Sequence, residues 1–134
     1  MSKRLQGGCQ CGAVRYETAA APVFAFHCYC RQCQRVTGAG HSSQFALPAN
    51  EVHVTGMLTR YQLTAGSGNK VTSAFCPVCG SPVFKQSAGY PQFIAFHAAT
   101  LDDPSQFRAL RSIWTEQRQP WDMVTAEIPQ SPRG

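Results

Sequence analysis

The chain has 134 residues, of which 43% are hydrophobic and 14% charged, and carries a formal charge of +5. That length suits one hydrophobic core, and the composition is too apolar for a disordered tail or a solvating linker. No run of about 18 apolar residues is present, which excludes a transmembrane helix, and the start MSKRLQGGCQCG has basic residues with no apolar stretch behind them. No secretory leader and no membrane partner are expected, and the expected location is cytoplasmic.

Short segments of alternating or β-rich character recur between turn residues. They predict strands at Ala13–Thr18, Val23–Cys28, Ser43–Leu47, Glu51–Thr55, Leu58–Thr64, Val71–Phe75, Pro82–Gln86 and Phe93–Ala99. Arg31–Val36 reads as a short helix stopped before Thr37-Gly38. Gly66 to Asn69 reads as a hairpin loop, lacking the spacing of a phosphate cradle. Pro104–Leu110 predicts a second helix, capped by Asp103 with proline at the first helical position. The stretch RSIWTEQRQPWDMV offers a strand, a bend at Gln119-Pro120 and a last strand, and Pro129 and Pro132 mark a frayed tail. The expectation is a mainly β protein of antiparallel sheets with one or two short helices, in a single domain 1–134 whose core is about 5–125 and whose tail is 126–134.

Seven cysteines fall into three groups: Cys9 and Cys11 as C-x-C, Cys28, Cys30 and Cys33 as C-x-C-x-x-C, and Cys76 and Cys79 as C-x-x-C. An odd count in a reducing compartment disfavours a disulfide framework and favours metal ligation. In C-P-V-C-G a tight turn points both sulfurs the same way, which supplies half of a tetrahedral zinc site. On an extended segment Cys9 and Cys11 put both side chains on one face and can supply the other half. Cys9, Cys11, Cys76 and Cys79 would then form a closed structural zinc site.

Cys28, Cys30 and Cys33 remain as three thiols. A metal held by three protein ligands keeps a fourth position for substrate, the pattern of a reactive centre. Two alternatives stay open: the trio binds no metal, or a histidine closes the site. His27 on a strand faces away from Cys28, and His41, just past Gly38–Gly40, is the better candidate. A dithiol redox reading of C-P-V-C-G is disfavoured because Ser81-Pro82-Val83-Phe84 follows where that chemistry needs a helix. His53 and His97 sit in β-like segments and read as hydrogen-bonded structural groups rather than ligands.

The order G-G-C-Q-C-G-A-V-R-Y-E, C-Y-C-R-Q-C-Q, F-C-P-V-C-G-S-P-V-F, L-D-D-P and I-W-T-E-Q-R-Q-P-W, over about residues 5–125, resembles the glutathione-dependent formaldehyde-activating enzyme family, also called the centromere protein V family. The resemblance implies a tent-like all-β zinc fold. It also implies two zinc ions per chain, a structural one on Cys9, Cys11, Cys76 and Cys79 and a more labile one on Cys28, Cys30 and Cys33. Tyr29 departs from the histidine often found between the first two of those. The implied activity is that of a carbon–sulfur lyase run in reverse, joining glutathione or a similar thiol to formaldehyde as S-(hydroxymethyl)glutathione, with Cys28, Cys30 and Cys33 as the catalytic set. Zinc suits this chemistry, because it holds a thiol as the nucleophilic thiolate. Arg31, Arg35 and Arg60 are the cations that could meet glutathione's carboxylates. The alternative class is a non-catalytic zinc-stabilised binding module.

Nucleic acid is not an expected partner. A Zn²⁺ on four thiolates carries −2 and one on three carries −1, which would bring the formal +5 down to +2, and the longest basic run is Lys3-Arg4. Trp114 and Trp121 read as core aromatics, with Pro120 fixing the bend between their segments.

Overall fold

Alternation of apolar and polar residues sets the strands. In the computed structural model, which describes residues 4–134, they are β1 (Leu5–Gly8), β2 (Arg15–Thr18), β3 (Phe24–Cys28), β4 (Ser42–Pro48), β5 (Val52–Thr55), β6 (Thr59–Thr64), β7 (Lys70–Phe75), β8 (Pro82–Ser87), β9 (Phe93–His97) and β10 (Arg111–Ile113), with the helix α1 (Arg31–Thr37) between β3 and β4. Lys3 of the basic pair, with the rest of residues 1–3, lies outside the described residues. All eight segments that alternation predicts contain strands, and β1 is added at Leu5–Gly8.

Two sheets result, one of order β1-β2-β5 and one of order β10-β3-β4-β9-β8-β7-β6. The second is not wholly antiparallel, because β10 pairs parallel to β3. The core lies between the three-stranded sheet and one face of the larger one. Tyr16 of β2 meets Phe96 of β9 at 4.2 Å between ring centroids, and Phe96 touches Phe84 at 5.4 Å and Phe45 at 6.0 Å. Each such fully buried aromatic contributes roughly 1.5–3 kcal/mol. Gly7 is required where β1 passes the 98–101 segment, since a Cβ there would lie 2.4 Å from both the Thr100 carbonyl and the Tyr16 hydroxyl.

Because side chains alternate across a strand, the neighbours of these core residues point to the opposite face. Register pairs Cys28 with Ser42, Gln44 with His97, and Ser73 with Lys85, so one sheet face carries a row of polar groups. Ser42, Gln44, Ser73 and His97 are nevertheless buried, at 1%, 2%, 7% and 6% exposure.

Three expectations are corrected. The second helix is a single turn, Pro104–Gln106: Asp103 does cap it, accepting from Ser105 N at 3.2 Å, but Phe107 then packs onto the core and against His27, and Leu110 N donates to Ala25 O at 2.9 Å, which draws the chain out. No last strand follows the turn at Gln119–Asp122 among the described residues, and Trp121 is 70% exposed rather than core. The expected frayed end is docked instead: Ser112 N donates to Pro129 O at 2.9 Å and Ser131 N to Ser112 O at 2.8 Å, which extends the pairing beyond β10. The hairpin loop between β6 and β7 is as expected, closed by Ala65 N to Asn69 O at 2.8 Å.

Candidate metal centres

The first cysteine set is built by two turns. Cys76 and Cys79 flank the turn between β7 and β8, closed by Gly80 N donating to Cys76 O at 2.9 Å, and Gly80 takes the left-handed φ of 77° that favours glycine. Val78 N and Cys79 N donate to Cys76 Sγ at 3.3 and 3.5 Å. The strand β8 follows, so no helix starts at this C-x-x-C and the redox geometry is absent. Cys9 and Cys11 lie not on an extended strand, as the spacing argument assumes, but in the turn after β1, where Cys9 N donates to Val14 O and Gly12 N to Cys9 O. The turn achieves the same convergence, with Val14 N donating to Cys9 Sγ at 3.2 Å.

The sulfurs of Cys9, Cys11, Cys76 and Cys79 all lie within 4.8 Å of one another, and the Cys9–Cys11 and Cys11–Cys76 separations are both 3.7 Å. Zinc–sulfur bonds of about 2.3 Å in a tetrahedron place neighbouring sulfurs roughly 3.8 Å apart. The donor set therefore fits zinc, and backbone N–H groups aimed at sulfur are what thiolate ligands need. Cys79 has its thiol lowered to about 5 by hydrogen bonds from the Ser81 hydroxyl and the Ser81 N–H, which favours the ligating form.

The second set is built by a strand end and a helix start. Cys28 closes β3, Cys30 caps α1 by accepting from Cys33 N at 3.4 Å, and Cys33 lies in the helix's first turn. Gly38 ends the helix where the sequence places the stop. The three sulfurs lie within 4.8 Å of one another, and among the described residues no histidine or carboxylate joins them. His41, the candidate fourth ligand, instead stacks on Tyr29 at 4.6 Å and bonds Asp122 through Nδ1 at 2.6 Å. His27 faces away, as expected, and bonds Ser43 Oγ at 2.8 Å.

Without a metal, the three thiols hydrogen-bond one another and differ in acidity. Hydrogen bonds from Cys28 and Cys30 hold Cys33 far below the usual thiol range against the opposing effect of burial, with Lys85 and Ser42 adding to the lowering. The Cys28 thiol is pushed up correspondingly, because it donates to the other two and is buried. Lys85 Nζ lies 3.4 Å and Gln44 Nε2 3.6 Å from Cys33 Sγ.

Several contributors escaped sequence reasoning. Lys85, Gln44 and Ser42 come from β8 and β4, and nothing local ties them to the cysteines. Buried Gln34 on α1 donates to Tyr29 O at 2.8 Å and Gln117 O at 3.0 Å and accepts from Gln119 Nε2 at 3.1 Å, which pins the cysteine loop to the C-terminal segment. Its position one turn from Cys30, on the face opposite solvent, was the available signal. Arg31 and Arg35 are exposed on α1, with Arg31 also bonded to Gln34, whereas Arg60 lies on β6 at the far edge of the sheet. His97 also departs from the expected hydrogen-bonded role, since its Nε2 has no partner.

The fold is shared with a crystal structure of a Rhodobacter sphaeroides protein, at a TM-score of 0.60 and 23% identity, covering 93% of this chain and 98% of that one. A Halomonas elongata protein named "Putative glutathione-dependent formaldehyde-activating enzyme" is 27% identical over 103 residues, 73% of this chain, and the chain spans 66% of that relative's length. The family model for the glutathione-dependent formaldehyde-activating enzyme matches residues 4–117. That span contains all seven cysteines, and with it the chain belongs to the glutathione-dependent formaldehyde-activating enzyme family.

Proposed function

We propose that the protein adds a thiol, glutathione or a close relative, to formaldehyde to give S-(hydroxymethyl)glutathione, the synthetic direction of a carbon–sulfur lyase reaction. Zinc is the metal of both cysteine sets in this reading, structural on Cys9, Cys11, Cys76 and Cys79 and reactive on Cys28, Cys30 and Cys33. The observation that carries it is the convergence of three thiols that no fourth ligand joins among the described residues. Zinc bound there would supply a soft Lewis acid with one position left for a thiol, which it stabilises as thiolate.

The chain's residues account for the rest. The overall change is addition of RSH to H₂C=O: a carbon–sulfur bond forms, the carbonyl π pair moves to oxygen, and that oxygen takes a proton from water as the thiol proton is released to solvent. Lys85 Nζ and Gln44 Nε2 lie 3.4 and 3.6 Å from Cys33 Sγ and would offset part of the negative charge of the three thiolates on that side. Burial of Cys28 and Cys33, at 5% and 1% exposure, keeps water from competing there. Seven thiols without a disulfide support a reducing, cytoplasmic setting.

Exchange NMR on zinc-loaded protein tests the reading by following interconversion of glutathione plus formaldehyde with S-(hydroxymethyl)glutathione. Acceleration that is lost in Cys30→Ala is the expected result. No acceleration with two zinc ions bound would overturn it and leave a metal-stabilised binding module.

A further inference from the structure

The polar face beside the second cysteine set holds more hydrogen-bonding capacity than the fold uses. His97 is 6% exposed and its Nε2 has no partner, and Ser73 is 7% exposed with its hydroxyl equally unpartnered. A buried polar group left without a partner is a cost that a folded chain rarely carries without a use. Both stand next to the cation. Ser73 pairs with Lys85 across β7 and β8, while His97 lies on β9, on the same face and diagonal to Lys85. His97 also faces Gln44, whose amide reaches Cys33 Sγ at 3.6 Å. Lys85 has no carboxylate partner among the described ion pairs, and the negative group it meets is Cys33.

We propose that this face is an oxygen-binding subsite, in which His97 Nε2–H and the Lys85 ammonium donate hydrogen bonds to the carbonyl oxygen of a small aldehyde whose carbon faces the sulfur held at Cys28, Cys30 and Cys33. The inference rests on the thiol-addition reading and deepens it by assigning the groups that receive the oxygen. Burial holds the His97 ring down to about 4, mainly through desolvation, so near neutral pH it is an uncharged imidazole and hydrogen-bonds without giving up a proton. As the carbon–sulfur bond forms, the oxygen gains charge. A donor fixed where that charge develops lowers the barrier because no reorganisation is needed at that moment. The proton that completes the hydroxyl comes from water, as in the overall addition.

The test uses zinc-loaded protein labelled with ¹⁵N-histidine, with His97→Gln used to assign the His97 ring signals. S-(hydroxymethyl)glutathione, formed in place from glutathione and formaldehyde, is compared with S-ethylglutathione, which has a methyl where the hydroxyl stands. The expected result is an Nε2–H tautomer whose proton moves downfield with the hydroxymethyl compound and not with the ethyl one. Equal response to both, no response to either, or an Nδ1–H tautomer in the complex overturns the subsite. In the exchange assay His97→Phe should slow the reaction about 10²-fold, and a wild-type rate in that variant also overturns it. The two readings separate cleanly: acceleration by the unmodified protein with a silent His97 signal sinks the subsite alone, whereas a hydroxyl-specific signal without acceleration sinks the reaction and keeps the subsite.

Discussion

Two cysteine clusters a few strands apart are built in different ways. Cys9, Cys11, Cys76 and Cys79 come from two turns that belong to different sheets, so whatever they hold joins the sheets, and backbone N–H groups and Ser81 already serve the sulfurs. Cys28, Cys30 and Cys33 come from six consecutive residues, join nothing distant, and are served by side chains from other strands, Lys85 and Gln44. Local backbone donors suit the structural role proposed for the first set. Imported side-chain donors, one of them charged, make a centre whose electrostatics the rest of the sheet controls.

The comparison breaks most sharply by removing one ligand from each. Cys76 is wholly buried and part of the core cluster. With zinc bound, Cys76→Ser forfeits much of an apparent binding free energy of about 10–16 kcal/mol, which is comparable to the whole stability of an ordinary domain, about 5–15 kcal/mol. The variant should lose its far-UV β signal and its soluble yield. A folded variant with both metals retained would show that this set is no strut.

Cys30→Ala should behave differently. Cys30 is half-exposed and caps α1, and loss of a cap costs about 1 kcal/mol. The expected outcome is a folded protein whose metal content by mass spectrometry falls from two ions to one and whose thiol-addition rate falls to background. Global unfolding of this variant would erase the distinction between the clusters.

The sequence makes the first of these differences readable and hides the second. Ligand pairs such as C-P-V-C and C-x-C are local, and a turn or a short helix is enough to converge them, so spacing identifies both sets. Strand positions are likewise local, since alternation marks Phe45 and Leu47 as inward. On the other face alternation says nothing of burial: Ser42 and Gln44 are polar, yet they are buried beside Cys33, with α1 packed on β4. Lys85 and His97 belong to strands more than fifty residues beyond Cys33 in the chain, and only sheet register brings them beside it. The second helix fails for a related reason, because Asp103 and Pro104 signal a start and the long-range packing of Phe107 decides the continuation.

His97 gives a smaller and more selective test of the imported face. Burial lowers its ring from 6.5 to about 4. The folded value lies below the unfolded one, so the unfolded chain takes up more protons in this window, and stability falls as pH drops from 6.5 to about 4. The full effect is about 3 kcal/mol. Denaturant titrations of wild type and His97→Gln at several pH values should converge as pH falls, because the variant lacks this loss while sharing every thiol and metal term. Parallel curves would place His97 in contact with solvent and remove it from the buried face.

The smallest effect concerns an ion pair between the three-stranded sheet and the segment that follows β9. Arg15 of β2 grips Asp102 with two hydrogen bonds of 2.8 and 2.5 Å, and the hydrogen bond and charge of Arg15 hold the Asp102 carboxyl below the usual carboxylate range. Geometry alone suggests a clamp to rival the four cysteines. Exposure argues otherwise: the two side chains are 44% and 48% exposed, and water and salt screen such pairs to about 1 kcal/mol or less. A double-mutant cycle with Arg15→Ala and Asp102→Ala should therefore give a coupling within that limit at pH 7. Since the folded carboxyl titrates below the unfolded one, the coupling persists down to the acid range and disappears as pH falls through the lowered value. A coupling of several kcal/mol would show that this pair is shielded from water and salt, and would rank it with the cysteine cluster and the Tyr16–Phe96 contact in holding β2.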